Sequence, residues 1–485
     1  MSNNSTIKNP SFIDAMIPLL VMISMLTAAV LYFGDNSSYG PNQIALLMAT
    51  GVALIIGFKN GHNWISMEKA IVNGISISLG AILILLAVGS LIGTWLLAGT
   101  VPTMIYFGLQ ILDPQWFYPA ACIICGLVSM SIGSSWTTAA TIGVALIAVA
   151  TGLGLSPEIT AGAVISGAYF GDKISPLSET TNLAPAVAGS ELFEHIRYML
   201  WTTIPSIATA LVIFVFLGIS EDITDSSANV IRINELLEQH FYISVFNLIP
   251  LVVLLALAIK KVPAFISIAI GAIVGAIWAV LFQQDFIMSL AGEGVDTLTA
   301  NITIVWTAFF DGVSLDSGNE KLDSLISRGG MSSMLNTVWL IMCALTFGAV
   351  LEHLGILRKI MSVILSKVHS TGGLIASTVA TCIGTNAVTA DQYMAIVMPG
   401  RMYKEEYERR GLDPVVLSRT LEDSGTLTSP LMPWNTCGAY MYSVLAVNPL
   451  DYIFYCFFNL INPVLAVIYG FIGFKIKKLA KSVVA

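Results

Sequence analysis

Asp172-Lys-Ile-Ser-Pro-Leu-Ser-Glu-Thr-Thr-Asn182 is a polar string set between two apolar runs, residues 157–171 and 183–188. Pro176 removes a backbone donor and its ring disrupts a helical ladder, so the string reads as a helix unwound at its centre. The same reading applies to Thr426-Leu-Thr-Ser-Pro-Leu-Met-Pro-Trp-Asn435, which carries Pro430 and Pro433 between residues 413–425 and 437–447. Both breaks lie in an apolar chain. Of its 485 residues 56% are hydrophobic and 11% charged, with a mean hydropathy of +0.81; a soluble protein carries roughly a quarter charged residues. The charges fall in short runs between apolar stretches of about 17–25 residues, long enough to cross a hydrocarbon core. The chain therefore reads as a bilayer protein. Its net charge of −8 weighs little, because in membranes the placement of Lys and Arg counts for more than the sum. No nucleic-acid-binding face is expected.

Working outward from the breaks, residues 12–33, 42–58, 75–98, 201–218, 241–259, 264–282, 332–351 and 452–474 read as spans. Residues 119–130 and 137–150 flank the polar Gly133-Ser-Ser-Trp-Thr137 as arms of 12 and 14 residues, and residues 374–383 and 388–399 flank Gly384-Thr-Asn-Ala387 in the same way. Arms this short read as re-entrant hairpins, tolerated only when buried in protein or lining a cavity. The expected fold is thus all-α and polytopic, with about ten transmembrane helices, counting each broken helix as one, plus two re-entrant hairpins. No cleavable signal peptide is expected, since residues 12–33 are too long for its apolar core and no small-residue cleavage site follows. With the N-terminus inside, 17 basic residues, Lys481 among them, collect on the inner side and only Arg232, Lys321 and Arg328 on the outer. That asymmetry fits the positive-inside rule and places both termini in the cytoplasm. Lys173 and Arg419 fall within the broken helices. The six cysteines all lie in apolar segments, and Cys122-Ile-Ile-Cys125 reads as packing rather than redox chemistry.

The interrupted elements recur. Gly74 and Gly99 bracket one span and Gly330 and Gly355 another, with the same 25-residue step. Gly133-Ser-Ser-Trp-Thr-Thr138 answers Gly384-Thr-Asn-Ala-Val-Thr389, Leu155-Ser-Pro157 answers Leu412-Asp-Pro414, Ser175-Pro-Leu177 answers Ser429-Pro-Leu431, and Asn182 answers Asn435. Partner spacings stay at 251–257 residues. The sidedness reverses, because residues 151–156 carry no basic residue while residues 401–410 carry four. The expected organisation is a cytoplasmic N-terminus (1–11), inverted repeat 1 (12–218), an external acidic connector (219–240), inverted repeat 2 (241–474) and a basic cytoplasmic tail (475–485). Such repeats place a transport site at the midplane, where half-helix ends meet unwound carbonyls. A secondary transporter follows from that architecture.

The segment from Gly171 to Asn182 resembles the NhaC family of bacterial Na+/H+ antiporters. Gly133-Ser-Ser-Trp-Thr-Thr138, Leu421-Glu-Asp-Ser-Gly425 and Ser429-Pro-Leu-Met-Pro-Trp-Asn435 add to the likeness, which runs over nearly the whole chain. The resemblance implies sodium–proton exchange in the cytoplasmic (inner) membrane, with Na+, H+ and the lipid bilayer as partners and no cofactor beyond the transported ions. The same family contains MleN-type exchangers that swap malate and protons for lactate and sodium, so a small organic acid stays open as a substrate. Homodimers are common among related transporters and are carried here as an expectation.

A carboxylate at the centre of a membrane helix costs about 2.5–3.5 kcal/mol on insertion scales and is functional by default. Asp172 meets that description. Ionised, it offers hard oxygens to Na+; protonated, it carries the counter-ion. The alternative is a structural ion pair. Glu179, Thr181 and Asn182 follow the break and are candidates to ligate Na+ or orient Asp172, or else to cap the second half-helix. The expected Na+ site is Asp172 with Asn182. Ser135, Thr137 and Asn386 at the hairpin tips, and Ser429 and Asn435 in the second break, are candidates for facing the site, although a buried tip needs polar satisfaction in any case. Asp423 is the preferred second acid and Asp391 the next; Arg419, four residues before Asp423, lies on the same helical face and is able to hold it ionised. Glu422 lies beside Asp423. Lys173 and Arg419 are the cations available to an organic anion. Trp136 and Trp434 are expected to wall a cavity. An enzyme is not expected, because the five histidines form no His-Glu-x-x-His pair, and a channel has no need of two asymmetric carboxylate-bearing breaks.

Overall fold

The computed structural model describes residues 7–221, 226–315, 318, 323 and 326–479; Lys321 and Lys481 lie outside them. The first half runs α1 (Phe12–Phe33), α2 (Pro41–Lys59), α3 (Trp64–Ile77), α4 (Leu79–Leu97), α5 (Thr100–Ile111), α6 (Phe117–Ile132), α7 (Ser135–Leu153), α8 (Pro157–Ile174), α9 (Glu179–Ala188) and α10 (Leu192–Ser220). The second half runs α11 (Ser226–His240), α12 (Val245–Ile259), α13 (Ala264–Phe282), α14 (Gln284–Ala291), α15 (Thr297–Phe310), α16 (Ser332–His353), α17 (Ile356–Leu365), α18 (Thr371–Thr389), α19 (Gln392–Arg409), α20 (Pro414–Leu421), α21 (Thr436–Leu445) and α22 (Phe457–Ile472). Eight of these helices are long and apolar enough to cross a membrane, or ten if each of two bent pairs is one span. Large apolar side chains such as Leu20, Ile55, Phe216, Ile273 and Ile468 stay exposed along them, as lipid-facing surfaces require. The protein is an all-α, multi-pass membrane protein.

Local chemistry explains the boundaries. Ser11 and Asp14 form a reciprocal cap at the start of α1, and Asp14 also meets Lys59 at 2.6 Å. Gly99 and Gly355 adopt the same left-handed φ of 71° and start α5 and α17, a conformation that favours glycine. The expected span over residues 75–98 is instead α4, with α3 a separate helix ending at Ser78. The stretch read as a connector holds α11, which meets α12 at 87°, and α15 lies between the expected spans 264–282 and 332–351.

Two expectations are corrected at the hairpins. The arms of the first are full helices, since α6 with its preceding turn and α7 each reach 19 residues, so length alone no longer makes them re-entrant. The second tip does not lie at Gly384. α18 continues through Gly384–Thr389, and the chain reverses at Ala390 (φ 55°) and Asp391, which caps α19. Gly384 lies inside the helix, and the ladder runs on through Thr385, Asn386 and Thr389 despite their modest propensity, because buried packing outweighs it. Ala390 therefore matches Gly133 (φ 75°), and Asp391 matches the cap Ser134.

Packing repeats with the halves exchanged. α2 and α3 pack on α16, while α13 and α15 pack on α4; α6 packs on α8 and α10, while α18 packs on α20 and α22. α9 rests on α19 of the second hairpin, and α21 on α7 of the first. Each broken helix therefore leans on the hairpin of the other half. Close approach is built from small residues: a Cβ at Gly167 would meet Cys122 O at 2.1 Å, and one at Gly171 would meet Gly126 O at 2.2 Å. Gly167→Val is expected to destabilise the fold by about 3 kcal/mol or more, seen as loss of monodisperse protein in detergent. Gly384→Ala, whose Cβ would meet nothing within 4 Å, is expected to purify like the wild type.

Candidate functional site

Both broken helices form, with different gaps. α8 continues through Asp172 and Lys173 to Ile174, and α9 resumes at Glu179, so the first break is only residues 175–178. Ser178 caps α9, and the Thr181 hydroxyl donates back to the carbonyls of Asp172 (3.2 Å) and Lys173 (3.0 Å), which have lost their helical partners. In the second break α20 passes into a π turn over Glu422–Thr426, and a 3-10 turn at Ser429–Leu431 precedes α21. Asn386 donates to Gly425 O at 2.7 Å, Asn435 donates to Asn386 O at 3.0 Å, and Ser429 donates to Thr426 O at 2.7 Å. These residues hold the irregular backbone together.

The two breaks meet in a buried polar cluster. Lys173, wholly buried, donates to Asp423 and, at 2.9 Å, to Asn462 of α22. Asp423 also accepts from Thr202 of α10 at 3.0 Å and lies 3.8 Å from Arg419 Nε. Arg419 is equally buried and stacks 4.5 Å over the Tyr198 ring. Asp423, the preferred second acid, is thus the counter-ion of Lys173 across the two breaks.

Asp172 is built differently. Its Oδ2 accepts from the Ser135 hydroxyl (2.8 Å) and amide (3.2 Å) at the first hairpin tip; its Oδ1 is buried with no close hydrogen bond, and the Ser178 hydroxyl lies near the carboxylate. A half-satisfied carboxylate, 6% exposed, is held in orientation and leaves one oxygen for an occupant. Trp136 stacks on Tyr440 with centroids 4.0 Å apart, and Trp434 donates to Ala387 O at 2.6 Å, so both flank the cluster.

The remaining candidates sit elsewhere or serve the backbone. Thr137 bonds Ser134 through both its amide and its hydroxyl. Asn182 is exposed and donates to Pro176 O and Ser178 O, closing the turn of the break rather than meeting Asp172. Glu179 is exposed and accepts from Tyr393. Asp391 is buried as the cap of α19, accepting from Met394 N at 2.9 Å. Asn462 and Thr202 are uncharged residues of apolar spans, and the signal the sequence carries for them is Asn459 and Asn462, one turn apart ahead of Pro463.

The sequence profile of the Na+/H+ antiporter family matches residues 167–474, which contain both breaks. The chain belongs to the Na+/H+ antiporter family. It is 37% identical to the Na+/H+ antiporter NhaC of Alkalihalophilus pseudofirmus, over 90% of this chain and 91% of that one. It is 36% identical to the malate-2H+/Na+-lactate antiporter of Bacillus subtilis, over 94% of each chain. It is also 36% identical to the arginine/ornithine antiporter ArcD of Halobacterium salinarum, over 96% of this chain and 93% of that one. Family membership is thus shared by relatives named for different cargo.

Removing one partner of a buried ion pair strands the other, at a cost of about 3–5 kcal/mol. Lys173→Met is expected to lower thermal stability by that order, and Lys173→Met with Asp423→Leu to recover most of it. Thermal unfolding in detergent without Na+ checks this double-mutant cycle.

Proposed function

We propose that this chain is a secondary active transporter exchanging Na+ for H+ across the bacterial cytoplasmic membrane, with both termini cytoplasmic. The observation that carries the reading is Asp172, a buried carboxylate at the end of α8 with one oxygen held by the hairpin tip and the other unbonded. Such an oxygen in a dry site takes a cation or a proton, because a bare buried charge is costly. Competition of Na+ and H+ for one carboxylate couples the two fluxes without further machinery. Ser135 keeps Asp172 aimed, and Thr181 seals the carbonyls behind it. The exchanged packing of the halves supports inverted repeats, which such transporters use to open the site to either side.

A second reading, Na+- and H+-coupled exchange of a small organic acid, is favoured by the malate/lactate relative and by Arg419, whose Nε and Nη2 make no hydrogen bond. Lys173 favours it less, its charge being taken up by Asp423.

In proteoliposomes holding a pH-sensitive dye, Na+ alone is expected to drive proton movement, and Asp172→Asn to abolish it. Movement that requires malate or lactate would instead make Arg419 part of a substrate site. Ser135→Ala, losing a hydrogen bond to a charged group worth about 1.5 kcal/mol, is expected to raise the half-saturating Na+ concentration roughly tenfold.

A further inference from the structure

Within the polar cluster Glu422 is the acid left over. It opens the π turn at the second break and is fully buried, and its carboxyl oxygens have no close, well-aligned hydrogen bond, only the approach of the Thr180 and Thr426 hydroxyls. One helical turn on, the Thr426 hydroxyl is also fully buried and turns toward the Glu422 carboxylate without a close hydrogen bond. The hydroxyls of Thr180 and Thr426 and the charges of Lys173 and Asp172 surround Glu422. Its neighbour Asp423 takes the direct bond to Lys173. Adjacent residues point about 100° apart on a helix, so Glu422 leaves the face that carries Arg419 and Asp423.

A bare carboxylate in a dry interior is costly, and proteins meet that cost with a partner or a bound ion. Hard monovalent and divalent cations take oxygen donors: carboxylates, hydroxyls and carbonyls. Among the described residues no group of three or more His, Cys, Asp and Glu is disposed around a metal ion, so a cation here draws on one or two acids completed by neutral oxygens. Buried oxygens without a close hydrogen bond include Asp172 Oδ1 on the first break, Glu422 and Thr426 on the second, and Asn459 Oδ1 on α22, whose amide nitrogen donates to Leu427 O.

We propose that Glu422 is a second cation-binding carboxylate, which with the Thr426 hydroxyl forms the half of the Na+ site that the second broken helix contributes. This rests on the Na+ reading of Asp172 and adds to it. The site spans both breaks, each half supplies one acid, and Asp423 is a positioning residue that holds Lys173. The competing role for Glu422 is electrostatic. Lys173 and Arg419 are two buried cations facing one bonded acid, and Glu422 would then balance Arg419 without touching Na+.

The test measures 22Na+ binding and the Na+-induced rise in melting temperature of purified full-length protein, with choline as the replacement cation. Wild type is expected to bind Na+, Glu422→Gln to bind at least tenfold more weakly, Glu422→Asp to fall between them, and Thr426→Val to lose about threefold. Wild-type Na+ affinity in Glu422→Gln, with a lowered maximum transport rate, would overturn the proposal and make Glu422 a charge-balancing residue. Should Glu422→Gln not fold, unchanged Na+ affinity in Thr426→Val would overturn it equally. If the wild type binds no Na+, the reading of Asp172 fails and this proposal with it; if only Asp172→Asn weakens binding, this proposal alone fails.

Discussion

Lipid offers no hydrogen bonds, so a helix that stops in the middle of a membrane must find partners for its open amides and carbonyls inside the protein. Both breaks in this chain answer that constraint, and most of the polar residues around them do so before they do anything else. Thr181 closes the end of α8, Asn182 closes the turn beneath it, and Asn386 with Asn435 and Ser429 ties the second break to α18. The hairpins stand where they do for the same reason: each covers irregular backbone that lipid would not tolerate. The exchanged contacts of α9 with α19 and α21 with α7 are the large-scale result.

Against this satisfied background, the few unsatisfied atoms carry information. Asp172 Oδ1, Glu422 and Thr426 lack a close hydrogen bond, as do Arg419 Nε and Nη2, Asp423 Oδ2 and Asn459 Oδ1. The two breaks are also electrostatically unequal. The first supplies an acid and a lysine in succession, Asp172 and Lys173, which point apart on a helix; the second supplies Arg419, Glu422 and Asp423. Crossing the breaks lets Lys173 find Asp423 on the opposite half, a pairing that leaves Asp172 with only a hydroxyl and an amide. One buried ion pair thus sets which carboxylates are committed and which are open.

The second hairpin shows how a correct motif is misplaced. Gly384-Thr-Asn-Ala looks like Gly133-Ser-Ser-Trp, but a glycine in a helical conformation does not end a helix. The reversal falls at Ala390 and Asp391, six residues later, where a left-handed residue is followed by an acidic cap. Asn386 is then inside the last turn of α18, which is why it reaches Gly425 rather than lining a loop.

The amino-acid sequence by itself determined the solvent, the number and approximate bounds of most spans, the two prolyl breaks and a recurring order of motifs. Each of these is a property of short range or of simple periodicity. Length against bilayer thickness, a missing amide, and a recurring order of motifs need no knowledge of what touches what. Tertiary structure decided the roles of the charged residues. Arg419 and Asp423 share a helical face and invite a local pairing, yet the closer partner of Asp423 is Lys173 and comes from 250 residues away. The π turn over Glu422–Thr426 packs against α18 and α19, and no local pattern announces it. Which acid is spent and which is free is a question of three-dimensional neighbours, because in a low-dielectric interior charge is settled by contact rather than by composition.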